Sequence, residues 1–320
     1  MNNSSIVIVD YNEYAQLPYI KALFSTILAL TSFLIILGNI FSLIVLYRVR
    51  SISEPTRISM ISLTIANLCS GLFRSSPGVF AAAMGRWPFR GQLCAVQGVL
   101  NHALLTACIW NLLVLCLDRF IAILKPLRYH QIVTAKKALL AVLISWCLAV
   151  IGGFTMGPLQ TRRPAHYMPE YCSCYYQFQF NPWFYVSFAT FVTVPYIVMF
   201  FLFTYMFVIA RRHAKRIQNG IPNNPEAQVK QPPARKSAIT YALVMLFFDI
   251  SITPMLLLHT YNLIIRTRCY GHFVVTFVFT VLFHSFSFLC LPVFYKRTAA
   301  FREELYRIAA KICPFKCCKV

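Results

Sequence analysis

Seven apolar stretches run along the chain, separated by short polar, basic or proline-rich segments. They cover about residues 21–48, 57–84, 93–117, 137–162, 182–210, 236–265 and 271–295. Twenty-six uncharged residues lie between Lys21 and Arg48, and 23 lie between Cys94 and Asp118. A helix needs about 20 residues to cross the ~30 Å hydrocarbon core of a bilayer, so these runs predict membrane-spanning helices. The long polar break falls at residues 211–235, where Asn219-Gly220, Pro222, Pro225, Pro232 and Pro233 read as a solvated loop. After the last stretch, residues 302–312 place Leu305, Ile308 and Ala309 on one side and charges on the other, the pattern of a helix lying on a membrane surface. The predicted fold is an all-α membrane protein: a seven-transmembrane helix bundle with a short C-terminal amphipathic helix. Residues 1–320 form one domain, with 1–20 outside, 21–295 forming the spans and loops, and 296–320 forming the surface helix and tail.

Composition agrees with this reading. The chain is 58% hydrophobic and 12% charged, against about 25% charged in soluble domains. In a soluble protein a net charge of +21 would suggest nucleic acid. Here its placement decides otherwise. Twenty-two of the 30 Lys and Arg residues fall in the segments that alternate to one side, including residues 211–236 and the tail. The positive-inside rule therefore puts the C-terminus in the cytoplasm and the N-terminus outside, as an odd number of spans requires. The expected partner of the basic face is anionic membrane lipid, with no nucleic acid. Twelve cysteines in mostly apolar segments do not form a disulfide framework. Met1 to Asp10 lacks the basic start of a secretory signal peptide. With the N-terminus outside, Asn2 and Asn3 are N-glycosylation candidates.

Few residues carry candidate chemistry. Arg74 lies seven residues after Asn67, two helical turns along the same face. An ionisable residue within a span marks a functional site by default, the alternative being a side chain that snorkels to the interface. Pro77 is expected to kink that span. His102 and His259 sit on different stretches and no Cys/His cluster has metal spacing. No cofactor, metal or enzymatic activity is therefore expected. Asp118-Arg119, at the end of the third stretch, is either a charged flank that stops the span or a functional pair. Sequential neighbours on a helix do not face each other, which points the Arg toward other helices.

Asp118-Arg119-Phe120, twenty-four residues after Cys94 and followed by Ile121 to His130, resembles the third helix of a rhodopsin-like (class A) G-protein-coupled receptor, with an amine-receptor-like flavour in Lys125-Pro126-Leu127-Arg128-Tyr129. Gly38-Asn39, Leu63 with Ala66-Asn67-Leu68, Trp87-Pro88-Phe89, Trp146, Pro195, Phe248 with Pro254, and Pro292-Val293-Phe294-Tyr295 stand at the family's places in the other spans. The chain also departs from the pattern. Asn67 replaces an Asp, Phe120 and Phe203 replace Tyr, Ile252 replaces Trp, Leu291 replaces Asn, and Ala234 stands where an acid is usual.

The resemblance implies a plasma-membrane receptor with two partners, an extracellular ligand and a heterotrimeric G protein. It assigns the coupling role to Asp118, Arg119 and Tyr295, with Arg119 paired to Asp118 at rest. It also implies a disulfide from Cys94 to Cys172 or Cys174, which leaves the other cysteine to be matched with Cys269 as a second expected pairing. Cys313, Cys317 and Cys318, beside the surface helix, are palmitoylation candidates. Amine receptors hold the ligand's ammonium with an Asp seven residues after the third-helix Cys; here that residue is Asn101. Of nine acids, only Asp249 is mid-membrane, and it lies below the expected pocket floor. The outer polar set is Arg74, Asn101, His102, Ser187, His259 and Ser285, which suits a neutral or anionic small ligand or a short peptide. Several of these residues also suit plain helix packing. Ser285 stands where a retinal receptor carries its Lys, which excludes light detection. The changes at Asn67, Ile252 and Leu291 keep a second class open, a receptor-like protein that signals without ligand. A transporter or intramembrane enzyme fits less well, because the chain has neither an internal repeat nor paired acids.

Overall fold

The computed structural model describes residues 16–50, 52–160, 163–176, 182–219, 246–258, 270–297, 302–304 and 306–307. Helix α1 is Pro18–Arg48, α2 Glu54–Met84, α3 Gly91–Leu124 and α4 Ala135–Thr155. Helix α5 covers residues 182–219, and its apolar part is Trp183–Ile209. The described part of the sixth span, α6, is Leu246–Leu258; α7 is Tyr270–Arg297. Among the described residues five helices are long and apolar enough to cross a membrane, and α6 and the Phe273–Phe288 portion of α7 add two shorter apolar segments.

Local chemistry sets the helix ends. Proline occupies the first turn of α1 and of α2, where its missing N–H costs nothing. Helix α2 stops at Gly85, whose φ of +65° is left-handed. Thr134 caps α4 through a bond from Lys137 N. That helix ends at Thr155, earlier than the expected residue 162, just ahead of Gly157-Pro158.

The bundle is apolar outside and partly polar inside, the arrangement lipid demands. Leu30, Phe33, Tyr47, Phe80, Leu140 and Phe201 are exposed, whereas Ser32, Asn39, Ser59, Ser62, Asn67 and Asn111 are buried. Helix α3 is the axis, packed against α2, α4 and α5. Its contact with α4 is close because of Gly153: a Cβ there would lie 2.8 Å from Ala103 Cβ and 3.0 Å from the Val99 carbonyl. Small residues of this kind let backbones approach where lipid supplies no hydrophobic drive. The α1–α7 seam is aromatic, with Phe24 stacked on Phe273 and Phe277 at ring separations of 5.5 and 3.4 Å.

Two helices contain a wide π-turn, Gly71–Ser75 in α2 and Ala189–Thr193 in α5. Pro77 and Pro195 follow them. A proline lacks the N–H that would pair with the carbonyl four residues back, and its ring crowds that carbonyl. The chain answers with an extra residue in the turn. At α5 the carbonyl left over, Phe191 O, accepts from Trp110 Nε1 of α3 at 3.1 Å. At α2 the wide turn is closed by Ser76 N–H on the Gly71 carbonyl, which also accepts from Ser76 Oγ at 2.9 Å. The distortion expected at Pro77 thus takes the form of a wide turn, and Arg74 lies within it.

Candidate functional site

The outer end is organised by a loop hairpin. Strands β1 (His166–Met168) and β2 (Ser173–Tyr175) pair antiparallel, with Tyr167 opposite Cys174. A disulfide joins Cys94 at the top of α3 to Cys174. Gln97 Oε1 accepts from Cys174 N at 2.9 Å, and Asn101 Nδ2 donates to Cys174 O at 2.8 Å and to Ser173 Oγ at 2.9 Å. Three residues of α3, one turn apart, therefore hold β2 across the mouth of the bundle.

Cys172 takes no part in that bridge. It is a free, buried thiol at a left-handed φ of 49°, and its Sγ donates to Pro169 O at 3.3 Å. Burial pushes the thiol up to about 12. The second expected pairing, with Cys269, falls outside the described residues. The Cys172 carbonyl rests on α2 at Gly78, where a Cβ would come within 2.9 Å.

Under the hairpin lies a narrow cleft between α2, the loop and α7, with Arg74, Ser75, Ser173, Tyr175 and His284 on its walls. Its free volume of about 10 Å³ is near the threshold for one ordered water. Arg74 is 5% exposed. Its guanidinium lies over the Phe283 ring, 5.2 Å from the centroid, and donates to Tyr175 OH at 3.4 Å. A charged side chain within a spanning helix costs about 2.5–3.5 kcal/mol on insertion scales.

The other outer residues separate into local roles. Asn101 is spent on the hairpin, although its Oδ1 is buried without a partner. His102 Nδ1 lies 3.0 Å from Gly98 O, and its ring meets Tyr175 edge-on at 5.6 Å. Ser187, half-buried on α5, accepts from Gln160 Nε2 at 3.4 Å. Ser285 turns back to Val281 O of its own helix at 2.8 Å. His259 lies outside the described residues, as do Asn2, Asn3, Ala234, Cys313, Cys317 and Cys318. The α7 residue on the cleft is His284, which is not among the expected outer set. A signal for it existed: Thr276, Thr280 and His284 are all buried and spaced by four, a polar stripe on one helix face.

Mid-bundle, Asn67 Oδ1 accepts from Ser287 Oγ at 3.2 Å and from Cys108 Sγ at 3.4 Å. Asn39 Nδ2 donates to Ser287 O at 3.1 Å. Helices α1, α2, α3 and α7 meet there through neutral groups. Asp249 stands half-buried on α6.

The cytoplasmic end carries a compact ionic cluster. Asp118 Oδ2 accepts from Arg119 Nε at 2.9 Å and from Thr56 Oγ1 at 2.8 Å; Oδ1 accepts from Tyr129 OH at 2.6 Å. Arg119 Nη2 also contacts Thr56 Oγ1 and Tyr129 OH. Ser53 Oγ completes the group, 2.7 Å from Thr56 Oγ1. Sequential placement does not keep Arg119 from Asp118, because its long side chain folds back. Burial and the bond to Asp118 raise the Tyr129 phenol above its ordinary range. Thr56 and Tyr129 belong to this cluster, and neither is marked out by the sequence alone. Tyr295 lies in α7, but its side chain falls outside the described set.

Residues 38–295 match the family described as 7 transmembrane receptor (rhodopsin family). Among curated relatives, dopamine receptor 4 of Caenorhabditis elegans is 30% identical over 208 residues, 64% of this chain and 39% of the relative. Trace amine-associated receptor 13c of Danio rerio is 27% identical over 227 residues, 68% of this chain and 66% of the relative. Muscarinic acetylcholine receptor M2 of Gallus gallus is 26% identical over 262 residues, 76% and 52%. The chain thus spans between 39% and 66% of the length of these three relatives, whose names accord with the amine-receptor-like flavour of the third span. A match running from the first span to the seventh settles the membership: the chain belongs to the rhodopsin-like (class A) family of seven-transmembrane receptors, the G-protein-coupled receptors, which are not enzymes.

Proposed function

We propose that this chain is a plasma-membrane receptor that binds a neutral or anionic small ligand, or a short peptide, from outside and activates a heterotrimeric G protein inside. The coupling half of this reading rests on Arg119, held at the inner face by Asp118, Thr56 and Tyr129. The ligand half rests on one observation. Asn101 stands where an amine receptor has its carboxylate, and its amide is committed to the loop hairpin. Among the described residues no carboxylate lines the outer cleft, and the charge there is that of Arg74. A buried ammonium without a counter-charge is costly, so an amine is the disfavoured ligand, although the relatives are named for amines.

The inner basic face is the surface for anionic lipid, and Cys313, Cys317 and Cys318 are the acylation candidates next to it. The test is G-protein activation in cells expressing the full chain, with parallel panels of amines and of neutral and acidic compounds, and with Arg119→Ala as the uncoupled control. A potent response to simple amines that Arg119→Ala removes would overturn the ligand half and keep the coupling half. Loss of all response in every panel, with basal signalling that Arg119→Ala abolishes, would favour the second reading, a receptor active without ligand. The hairpin seated across the mouth, over a cleft with room for one water, supports that alternative.

A further inference from the structure

The guanidinium of Arg74 has five N–H donors in a rigid fork. One long bond to Tyr175 and a ring face occupy it only in part. Among the described residues no carboxylate pairs with it. Across the cleft His284, itself 7% exposed, has no partner at Nε2. Its Nδ1 lies 3.5 Å from Ser75 Oγ. With the hydroxyl donating to Nδ1, the imidazole is held in the tautomer that carries its proton on Nε2. Tyr175 OH, having accepted from Arg74, keeps its own proton to give. Three donors from α2, β2 and α7 therefore line one narrow space, and among the described residues no carboxylate lines it with them.

We infer that Arg74, Tyr175 and His284 form a buried subsite for a carboxylate group. The inference deepens the ligand reading above and rests on it. Charge count selects the group: a carboxylate neutralises the single cation, whereas a phosphate monoester carries close to two charges and would leave one buried and unpaired. Shape agrees, since the guanidinium fork takes two coplanar oxygens side by side; the cleft, near one water in size, must widen to take even this end group and excludes a bulky head. A ligand carboxylate seated there ties together α2, the hairpin and α7.

The experiment is thermal unfolding of the purified full-length receptor in detergent, titrated at constant ionic strength with sodium formate or acetate, with sodium chloride, and with acetamide. The carboxylates are expected to raise the melting temperature saturably by several degrees, and chloride and acetamide are expected not to. Arg74→Lys should weaken the apparent affinity about tenfold, and Arg74→Gln should abolish the response. If Arg74→Gln does not yield folded protein, the Tyr175→Phe, His284→Ala double variant serves, and it too should lose the response. A short peptide with a free C-terminus, set against its C-terminal amide, separates the two sources: a larger gain than acetate's marks a peptide end, and a smaller one marks a small free acid. An equal shift from chloride or acetamide, no shift at all, or a shift that survives the variants overturns the subsite. Basal G-protein activation measured in parallel keeps the class reading separate, because it depends on Arg119 and not on the carboxylate.

Discussion

The phenol of Tyr129 donates to Oδ1 of Asp118 at 2.6 Å, leaving Oδ2 to Thr56 and Arg119. The carboxylate that restrains Arg119 is therefore held by two donors, Tyr129 and Thr56, besides its salt bridge to Arg119. Tyr129→Phe removes one of them and leaves a buried acceptor short, at a cost of about 1–3 kcal/mol. We expect a lower melting temperature and basal G-protein activation raised several-fold, read in the same membranes. Unchanged basal activity would mean that the cluster does not restrain Arg119. The phenol's raised value means the neutral, donating form dominates at physiological pH. Its contribution is fully present below the unfolded value of about 10 and is lost only as pH rises through the folded one.

Sodium should have little effect. Asn67 offers a neutral oxygen already shared by Ser287 and Cys108, and hard cations prefer carboxylate and carbonyl oxygens. Melting temperature and ligand response measured in sodium and in choline buffers should agree within about twofold in affinity units, a difference of about 0.4 kcal/mol. A several-fold sodium dependence would point to a cation site that Asn67 does not make.

Cys172 should resist labelling. Burial pushes its thiol up to about 12, so the reactive thiolate is scarce at neutral pH. A maleimide at pH 7.4 should leave it unmodified in the folded receptor and modify it after denaturation. Non-reducing peptide mapping should recover Cys94 joined to Cys174. Labelling should rise only as pH climbs toward the raised value.

The α3–α4 contact should not tolerate a side chain at Gly153. Its Cβ would lie 2.8 Å from Ala103 Cβ, and overpacking of this kind typically costs about 1–3 kcal/mol. Gly153→Ala should lower thermal stability and surface expression. Gly91→Ala, with nothing within 4 Å, is the matched control and should behave as wild type.

Phosphorylation-dependent arrestin recruitment should be weak. No Ser or Thr occurs in residues 206–236 or 299–320, so these two segments offer no cluster on which kinases could place negative charge. Arrestin recruitment should be insensitive to kinase inhibition; a large signal abolished by the inhibitor would contradict this.

The order and number of the spans were legible because lipid imposes a strong constraint, long uncharged runs with charge at the ends. Arg74 stood out for the same reason, as a violation of that pattern. The choice between Cys172 and Cys174 was not legible. The two are two residues apart and share a face in any extended strand, and only the left-handed backbone at Cys172 turns its thiol away. Wide turns at residues 71–75 and 189–193 were hidden as well. A proline announces a lost hydrogen bond, but whether the chain kinks or inserts a residue depends on who claims the spare carbonyl, here Trp110 from another helix. The Asp118 cluster needed contacts spanning 62 residues, Thr56 to Asp118, which no local pattern contains.

The wide turn in α5 makes that helix a screw with one thread in reserve. Tightening Ala189–Thr193 to ordinary α geometry would take the surplus residue out of the turn and pass it down the shaft. Each residue corresponds to about 100° of rotation and about 1.5 Å of travel. Tyr196, which shares a hydrogen bond with Thr253 of α6 at 2.9 Å, sits just below that thread. A quarter-turn at the outer end would then be delivered as rotation to the inner end, with Trp110 as the pivot that keeps hold of the Phe191 carbonyl, which Pro195 cannot satisfy.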